Sequence, residues 1–350
     1  ASIAADFGYG MAHVYSCYSR VINPSGGRGW HTCDASAGQR DITYSGHKGL
    51  LDSQSLSSHA DCVSFRVMDS EIESEACIHA RARYCYIENT RFNLIEGRTS
   101  GGAGIEWHQD SWHLTVKGCS FYGTANNKYL VNATSGLRPT DATVIANSKL
   151  VISDCVFDTV GGNIGVSRGA SYLAFINNTV IRRDSYATTV PKIQTWLFAN
   201  GIGIIDNNTF INALGGSNAI VQLSGVSSGK WSFTNNTING VMLASTAGDL
   251  INIPASADDG QTIIIDGNII SLDKIRYFIN SSVSTTVTSL SKNTIICDIG
   301  FVIVNQGGTT KTMTIDRYVG NVISTTSGNF VNGSTVTKTK DFYNVYSDTV

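Results

Sequence analysis

The sequence predicts an all-β solenoid, in which one strand-and-corner unit is wound repeatedly into parallel coils, and three observations predict it. The first is a hexad of the form apolar-x-(Asn/Asp/Gly/Lys)-(Asn/Cys/Ser/Thr)-x-apolar. It recurs at Val67–Ile72, Ile87–Phe92, Val116–Phe121, Ile152–Phe157, Phe175–Val180, Ile205–Phe210, Phe233–Ile238, Ile265–Ile270, Leu290–Ile295 and Tyr318–Ile323. The second is the spacing of these copies, whose starts lie 20, 29, 36, 23, 30, 28, 32, 25 and 28 residues apart. A fixed unit joined by segments of variable length is what loops hung on a solenoid produce. The third is composition within the units, rich in Ile, Val, Thr and Asn and alternating with period two, which suits strands and not helical repeats.

The whole chain agrees with this reading. At 350 residues it exceeds the usual single core, a limit that a stacked coil escapes. Gly 35 against Pro 4 fits many tight corners with few rigid breaks. Charged residues make up 15% and the formal net charge is −2, so nothing in the overall charge suggests the field that nucleic acid would require, and nucleic acid is not an expected partner. The eight cysteines, Cys17, Cys33, Cys62, Cys77, Cys85, Cys119, Cys155 and Cys297, include no CxxC pair. Cys119 and Cys155 occupy the hexad slot filled elsewhere by Asn, Ser or Thr, so they read as small stacked core residues of a protein folded in a reducing cytoplasm. No leader and no 18-residue apolar run occurs, so membrane insertion is not expected.

Taken in order, residues 1–30 are irregular around Asp6–Tyr9 and the Pro24-Ser25-Gly26-Gly27 turn and are expected to cap the coil. Residues 31–325 form it, one elongated domain. Residues 326–350, Ser/Thr/Gly-rich and ending in Phe342-Tyr343-Asn344-Val345-Tyr346, are expected to close it against end-to-end stacking. A first strand precedes each hexad. In Gly104–Phe121, Ile105, Trp107, Leu114 and Val116 face one way, and Glu106, His108, Thr115 and Lys117 the other.

Early first strands place histidine just after an inward position, as in Trp30-His31, Ser58-His59, Ile78-His79 and Trp107-His108. With equivalent positions about 4.8 Å apart, His31, His59, His79 and His108 are expected to form a ladder on the outer face. Asp61, Arg81 and Asp110 then stack two residues on, and Ser57, Cys77 and Glu106 two residues before. The segments 122–142, with Lys128, Tyr129, Arg138 and Asp141, and 181–196, with Arg182, Arg183, Asp184, Tyr186, Lys192 and Trp196, are expected to wall a groove over this polar floor.

The corners Asn177-Asn178-Thr179, Asn207-Asn208-Thr209 and Asn235-Asn236-Thr237 carry a resemblance. They resemble the asparagine-cornered, right-handed, single-stranded parallel β-helix of the pectate-lyase-like superfamily. Within it, the variable loops and Ser/Thr-rich tail look most like the central region of bacteriophage tailspikes, over roughly residues 40–325. The resemblance implies a homotrimer on the virion tail that binds, and commonly cleaves, a bacterial surface polysaccharide such as capsule or O-antigen. No pectate-lyase calcium site and no catalytic motif of the family carries over residue by residue, so neither metal nor cofactor is expected. These 350 residues do not include a tailspike's head-binding domain, and the chain is expected to be a fragment of a longer spike or a cleaved product.

Hydrolysis of a glycosidic bond needs two carboxyl groups, about 5 Å apart for retention and about 6.5–9.5 Å for inversion. On one extended strand Glu106 and Asp110 would lie about 13 Å apart, whereas Glu75 and Glu106, offset by two residues and one coil, come to about 8 Å. Glu75 and Glu106 are therefore the expected catalytic pair, assisted by His79 and His108. Asp61 and Asp110, two coils apart with Arg81 between them, form a second pair, which Arg81 equally serves to neutralise. Trp107 and Trp30 are read as core. Trp112, at a corner, is placed to stack on a sugar or to pack there, and His59, Arg81 and Lys117 are candidate substrate contacts. Arg182, Arg183 and Tyr186 could hold an anionic sugar from the loop. Two alternatives stand beside hydrolysis: a lyase on a uronate polymer, with His or Tyr as base and Arg81 or Lys117 neutralising the acid, and a non-catalytic adhesin. The Asn-x-Thr triplets read better as corner hydrogen-bonding residues than as glycosylation acceptors.

Overall fold

The hexad fixes the local geometry. Its first and sixth residues are apolar and point inward, and its third residue takes a left-handed backbone, with φ between 48° and 69° at Asp69, Asn89, Gly118, Asp154, Asn177, Asn207, Asn235, Gly267, Lys292 and Gly320. Gly, Asn and Asp adopt that conformation at least cost, which is why they dominate the slot. The chain bends there and a new strand begins. The computed structural model describes residues 3–5, 11–15, 18–20, 33–35, 40–50, 56–58, 62–74, 78–94, 103–123, 129–133, 139–159, 163–165, 169–182, 192–211, 219–225, 229–240, 249–274, 277–299, 302–306, 311–325, 331–332, 336–338 and 341–348.

Two compact units, Ala1–Ala170 and Ser171–Val350, make up the chain. Each is a parallel β-helix. In the first unit a coil supplies three strands, for example Ile78–Ala80, Tyr84–Glu88 and Arg91–Leu94. They pair in parallel with Ala103–Trp107, His113–Lys117 and Ser120–Gly123 of the following coil. Inward residues stack in columns: Phe65 on Cys85 on Leu114, Val67 on Ile87 on Val116, and Ile72 on Phe92 on Phe121 on Phe157, all fully buried. The Phe92, Phe121 and Phe157 rings stack with centroids 4.6 and 4.8 Å apart. Cys62, Cys85, Cys119 and Cys155 are buried thiols, as is Cys297 in the second unit.

The second unit repeats the plan with Ile205, Phe233, Ile265, Leu290 and Tyr318 in one column and Val180, Phe210, Ile238, Ile270, Ile295 and Ile323 in another. Its fourth hexad slot is asparagine throughout: Asn178, Asn208, Asn236, Asn268, Asn293 and Asn321, each no more than 1% exposed. From Asn208 onward, each amide oxygen accepts the backbone N–H and the side-chain N–H of the preceding asparagine at 2.8–3.1 Å. The ladder runs on to Asn344.

Three expectations about the fold change. The coil does not stop at residues 31 and 325. Tyr18–Arg20 already pairs with Lys48–Leu50, and Val345–Asp348 pairs with Val322–Thr325. Tyr343-Asn344 repeats the left-handed residue and corner asparagine of the hexad, with φ 56° at Tyr343. Within 122–142, the Tyr129–Ala133 stretch is a coil strand paired with Ala103–Trp107, and not part of a wall. A short helix, Ala142–Asn147, follows, its first turn capped by the Asp141 carboxylate, which accepts from the N–H groups of Thr143 and Val144. Lys192 and Trp196 lie in the long Lys192–Asp206 strand of the second unit and not in a projecting loop. No helix among the described residues is long and apolar enough to cross a membrane.

Candidate functional site

The site is built on the outer face of the first unit's first strands. Ile78 and Ala80 point inward, as do Ile105 and Trp107, all at most 1% exposed, so strand alternation turns His79 and Glu106 outward. Backbone pairing sets Ile78 against Ile105 and His79 against Glu106. On the other side His79 pairs with Ser57, and Ser57 with Asp34, while Glu106 pairs with Asn132. The column therefore reads Asp34, Ser57, His79, Glu106, Asn132.

This corrects the expected histidine ladder. From one hexad to the next the offset is 29 residues between Ile87 and Val116, but 27 between His79 and Glu106. The two-residue difference is absorbed by a turn at Gln109–Asp110, closed by the Ser111 N–H donating to the His108 carbonyl at 3.2 Å. Likewise the offset is 20 between Val67 and Ile87 but 22 between Ser57 and His79. As a result Glu106, and not His108, stands over His79. The turn also removes the premise of a straight strand from Glu106 to Asp110, and it takes Asp110 out of the column of Arg81.

Two carboxylate–imidazole contacts result. His79 Nε2 lies 3.1 Å from Glu106 Oε2, with side-chain exposures of 6% and 21%. His108 Nδ1 lies 3.1 Å from Asp110 Oδ2, and there the carboxylate is 53% exposed. The two rings meet edge to face with centroids 6.1 Å apart. Arg81 Nε sits 3.4 Å from the same His79 nitrogen. The shorter contact assigns the Nε2 proton to His79, which donates to Glu106 and leaves Arg81 as a neighbouring charge. Buried serines brace the corner: Ser58 Oγ accepts from the N–H groups of Arg81 and Ala82, and Ser111 Oγ donates to the Ala82 carbonyl at 2.6 Å.

Past the corner, Trp112 is half-buried, edge-on to Tyr84 at 5.9 Å and under the Arg83 guanidinium at 5.2 Å. Lys117 is exposed at the end of His113–Lys117, in register with Glu88 and Ser153. Arg182 ends the Thr179–Arg182 strand of the second unit. Glu75, Asp61, His59, Arg183 and Tyr186 lie outside the described residues, as do His31, Cys77 and Trp30. The strand pattern gave no signal for Asp34 and Asn132 as members of the column, because their place depends on corner length. Burial holds the His113 imidazole below its ordinary pKa of 6.5, with the nearby Lys149 charge adding to the effect. No trio of His, Cys, Asp or Glu side chains among the described residues is placed to share a metal ion.

Chemically, the arrangement offers one carboxylate oriented by a buried imidazole that a guanidinium also approaches, and a second, more exposed carboxylate beside another imidazole. Comparison with protein-family models, with curated proteins and with solved structures finds no match for this chain.

Proposed function

We propose that the chain binds a bacterial surface polysaccharide and cleaves it by glycosidic hydrolysis, as one of three identical subunits of a phage-tail spike. The observation that carries the chemistry is the 3.1 Å contact between His79 and Glu106. Glu106 is the more exposed partner, so a sugar reaches its carboxyl group before it reaches the imidazole. That ordering suits a catalytic carboxyl positioned by a histidine better than a catalytic histidine. The second carboxyl is Glu75 or Asp110, since either inverting or retaining hydrolysis needs two. The coil repeat, with its polar outer face and asparagine corners, supports the spike and the extended glycan groove.

One observation favours a second reading. An imidazole touches Glu106, and Arg81 stands beside that imidazole. In a lyase, His79 would instead carry its proton on Nδ1, so that Nε2 is free to take the proton next to a uronate carboxylate, and Arg81 would neutralise that carboxylate as the carbanion forms and the glycosidic oxygen leaves. The experiment is polymer size by gel filtration after incubation with a panel of bacterial surface polysaccharides, with Glu106→Gln, Glu75→Gln and Asp110→Asn alongside. Shortening without unsaturated-sugar absorbance, abolished in Glu106→Gln and in one of the other two, is the expected result. New unsaturated-sugar absorbance would select the lyase. Binding with no shortening of any polymer would overturn both and leave an adhesin.

A further inference from the structure

Next to the His79–Glu106 corner, the outer face of the following strands carries a pattern that the hydrolytic site does not use. Arg66 is in register with Tyr86, and its guanidinium lies over that ring at 5.0 Å. One coil on, Arg83 lies over Trp112 at 5.2 Å. The rings interlock further, Tyr84 edge-on to Trp112 at 5.9 Å and Tyr86 tilted against His113 at 5.8 Å. Neither the Arg66 nor the Arg83 guanidinium makes a hydrogen bond or ion pair among the described residues. Their planes are held by the rings while, among the described residues, their N–H edges meet no acceptor.

Charge is segregated here as well. Outward residues of Ser64–Met68, Tyr84–Glu88, His113–Lys117 and Lys149–Ser153, with the corner residue Arg83, include Arg66, Arg83, Lys117 and Lys149 against one acid, Glu88, while Asp69 and Asp154 stand at the corners on the far end of these strands from Arg83. The chain as a whole carries −2.

We propose that this face, centred on Arg66, Tyr86, Arg83 and Trp112, is a docking surface for an acidic polysaccharide, with sugar carboxylates on the two guanidinium edges and pyranose faces against the exposed ring surfaces. A guanidinium stacked on an aromatic ring is pre-organised, so it loses little entropy when a carboxylate arrives, and its fork matches the two oxygens. Aromatic side chains present an apolar body with a polar tip, which suits the mixed faces of a sugar. Single-stranded nucleic acid also combines anions with flat rings, but it draws on a larger positive field than four cations opposed by one acid. This inference rests on the hydrolytic reading in one respect: Trp112 follows Glu106 by six residues around the corner, so a polymer anchored on this face is led to Glu106.

The test measures binding of the full chain by titration calorimetry to polygalacturonate, to neutral dextran and to a thymidine oligonucleotide. The expected result is salt-sensitive binding to polygalacturonate alone, weakened about tenfold or more in the double variant Arg66→Gln/Arg83→Gln, or ~1.4 kcal/mol or more. Arg91→Gln is the control. Arg91 stacks on Tyr122 at 4.7 Å on a different sheet, so a merely structural role of stacked arginines predicts equal losses in both variants, and equal losses would overturn the proposal. Equal affinity for dextran, tighter binding of the oligonucleotide, or no binding of polygalacturonate would also overturn it. Cleavage of a neutral polymer without polygalacturonate binding would sink the docking surface and leave the hydrolase intact.

Discussion

The two units wind the same coil but close its fourth hexad slot differently. In the second unit, asparagine follows asparagine, and each amide ties three coils: Asn236 accepts from the backbone and side chain of Asn208, donates to Asn268, and donates again to the Ile205 carbonyl. In the first unit the slot holds His47, Ser70, Thr90, Cys119 and Cys155, and the hydroxyls and thiols largely donate to carbonyls two residues back, such as Thr90 to Glu88 at 2.9 Å and Cys155 to Ser153 at 3.1 Å. The same backbone bend is thus sealed between coils in one unit and mainly within a coil in the other. Where the corner is plainer, the outer face is richer: the His79–Glu106 contact, the His108–Asp110 contact and the stacked Arg66 and Arg83 all belong to the first unit. Coil stability and surface chemistry are supplied by different slots of the repeat, so each can vary without the other.

The largest expected effect comes from breaking the ladder. Asn236→Ala removes the acceptor of two buried N–H groups of Asn208, and each buried group left unsatisfied costs about 1–3 kcal/mol. A loss of ~3 kcal/mol or more in urea unfolding is expected. Thr90→Ala, at the same slot of the first unit, removes one bond to its own coil and is expected to cost about 1 kcal/mol. Equal losses for the two variants would mean that the asparagines do no more than fill the corner.

A smaller effect sharpens what the two units share. At Gly118 and Gly267, φ is 62° and 69°, and an added Cβ would sit 2.7 Å from the Oδ1 of Asn89 and of Asn235. At Gly320, φ is 67° but the nearest atom is the Lys292 Cγ at 4.0 Å. Left-handed backbone costs about 1–2 kcal/mol for a residue with a Cβ, and the first two sites add a clash. Gly118→Ala and Gly267→Ala are therefore expected to lower stability alike, each by more than Gly320→Ala. Thermal midpoints would decide it, and a split between Gly118 and Gly267 would show that the units do not share the corner.

These slots were legible in the sequence because each depends only on neighbours within the hexad. Left-handed φ selects Gly, Asn or Asp, and inward faces select apolar residues, so core columns such as Phe92 on Phe121 follow from copy number alone. The column through His79 was not legible. Its register depends on how many residues the first corner holds: Leu56 to Val67 and Ile105 to Val116 span 11 residues, while Ile78 to Ile87 spans nine. Corner length leaves no trace in strand periodicity, so projecting the hexad offset backward put His108 where Glu106 stands.

The smallest expected effect is a pH response confined to the first unit. Burial lowers the pKa of His47, which is 1% exposed at its corner slot, and lowers that of His113 as well, both from an ordinary 6.5. A histidine whose pKa falls on folding is protonated more readily in the unfolded chain. The unfolded state then binds more protons, and stability rises with pH between the folded and unfolded pKa values. The contribution is complete above about 6.5 and declines as pH drops below it. Amide hydrogen exchange at about pH 7.5 and about pH 5.5, corrected for intrinsic rates, should show first-unit strands losing protection on acidification while the Asn208–Asn321 ladder holds. His47→Gln/His113→Gln should flatten the first unit's response. If both units lost protection equally, or if the double variant responded as wild type does, the acid sensitivity would have to arise from carboxylates spread along both units and not from these two imidazoles.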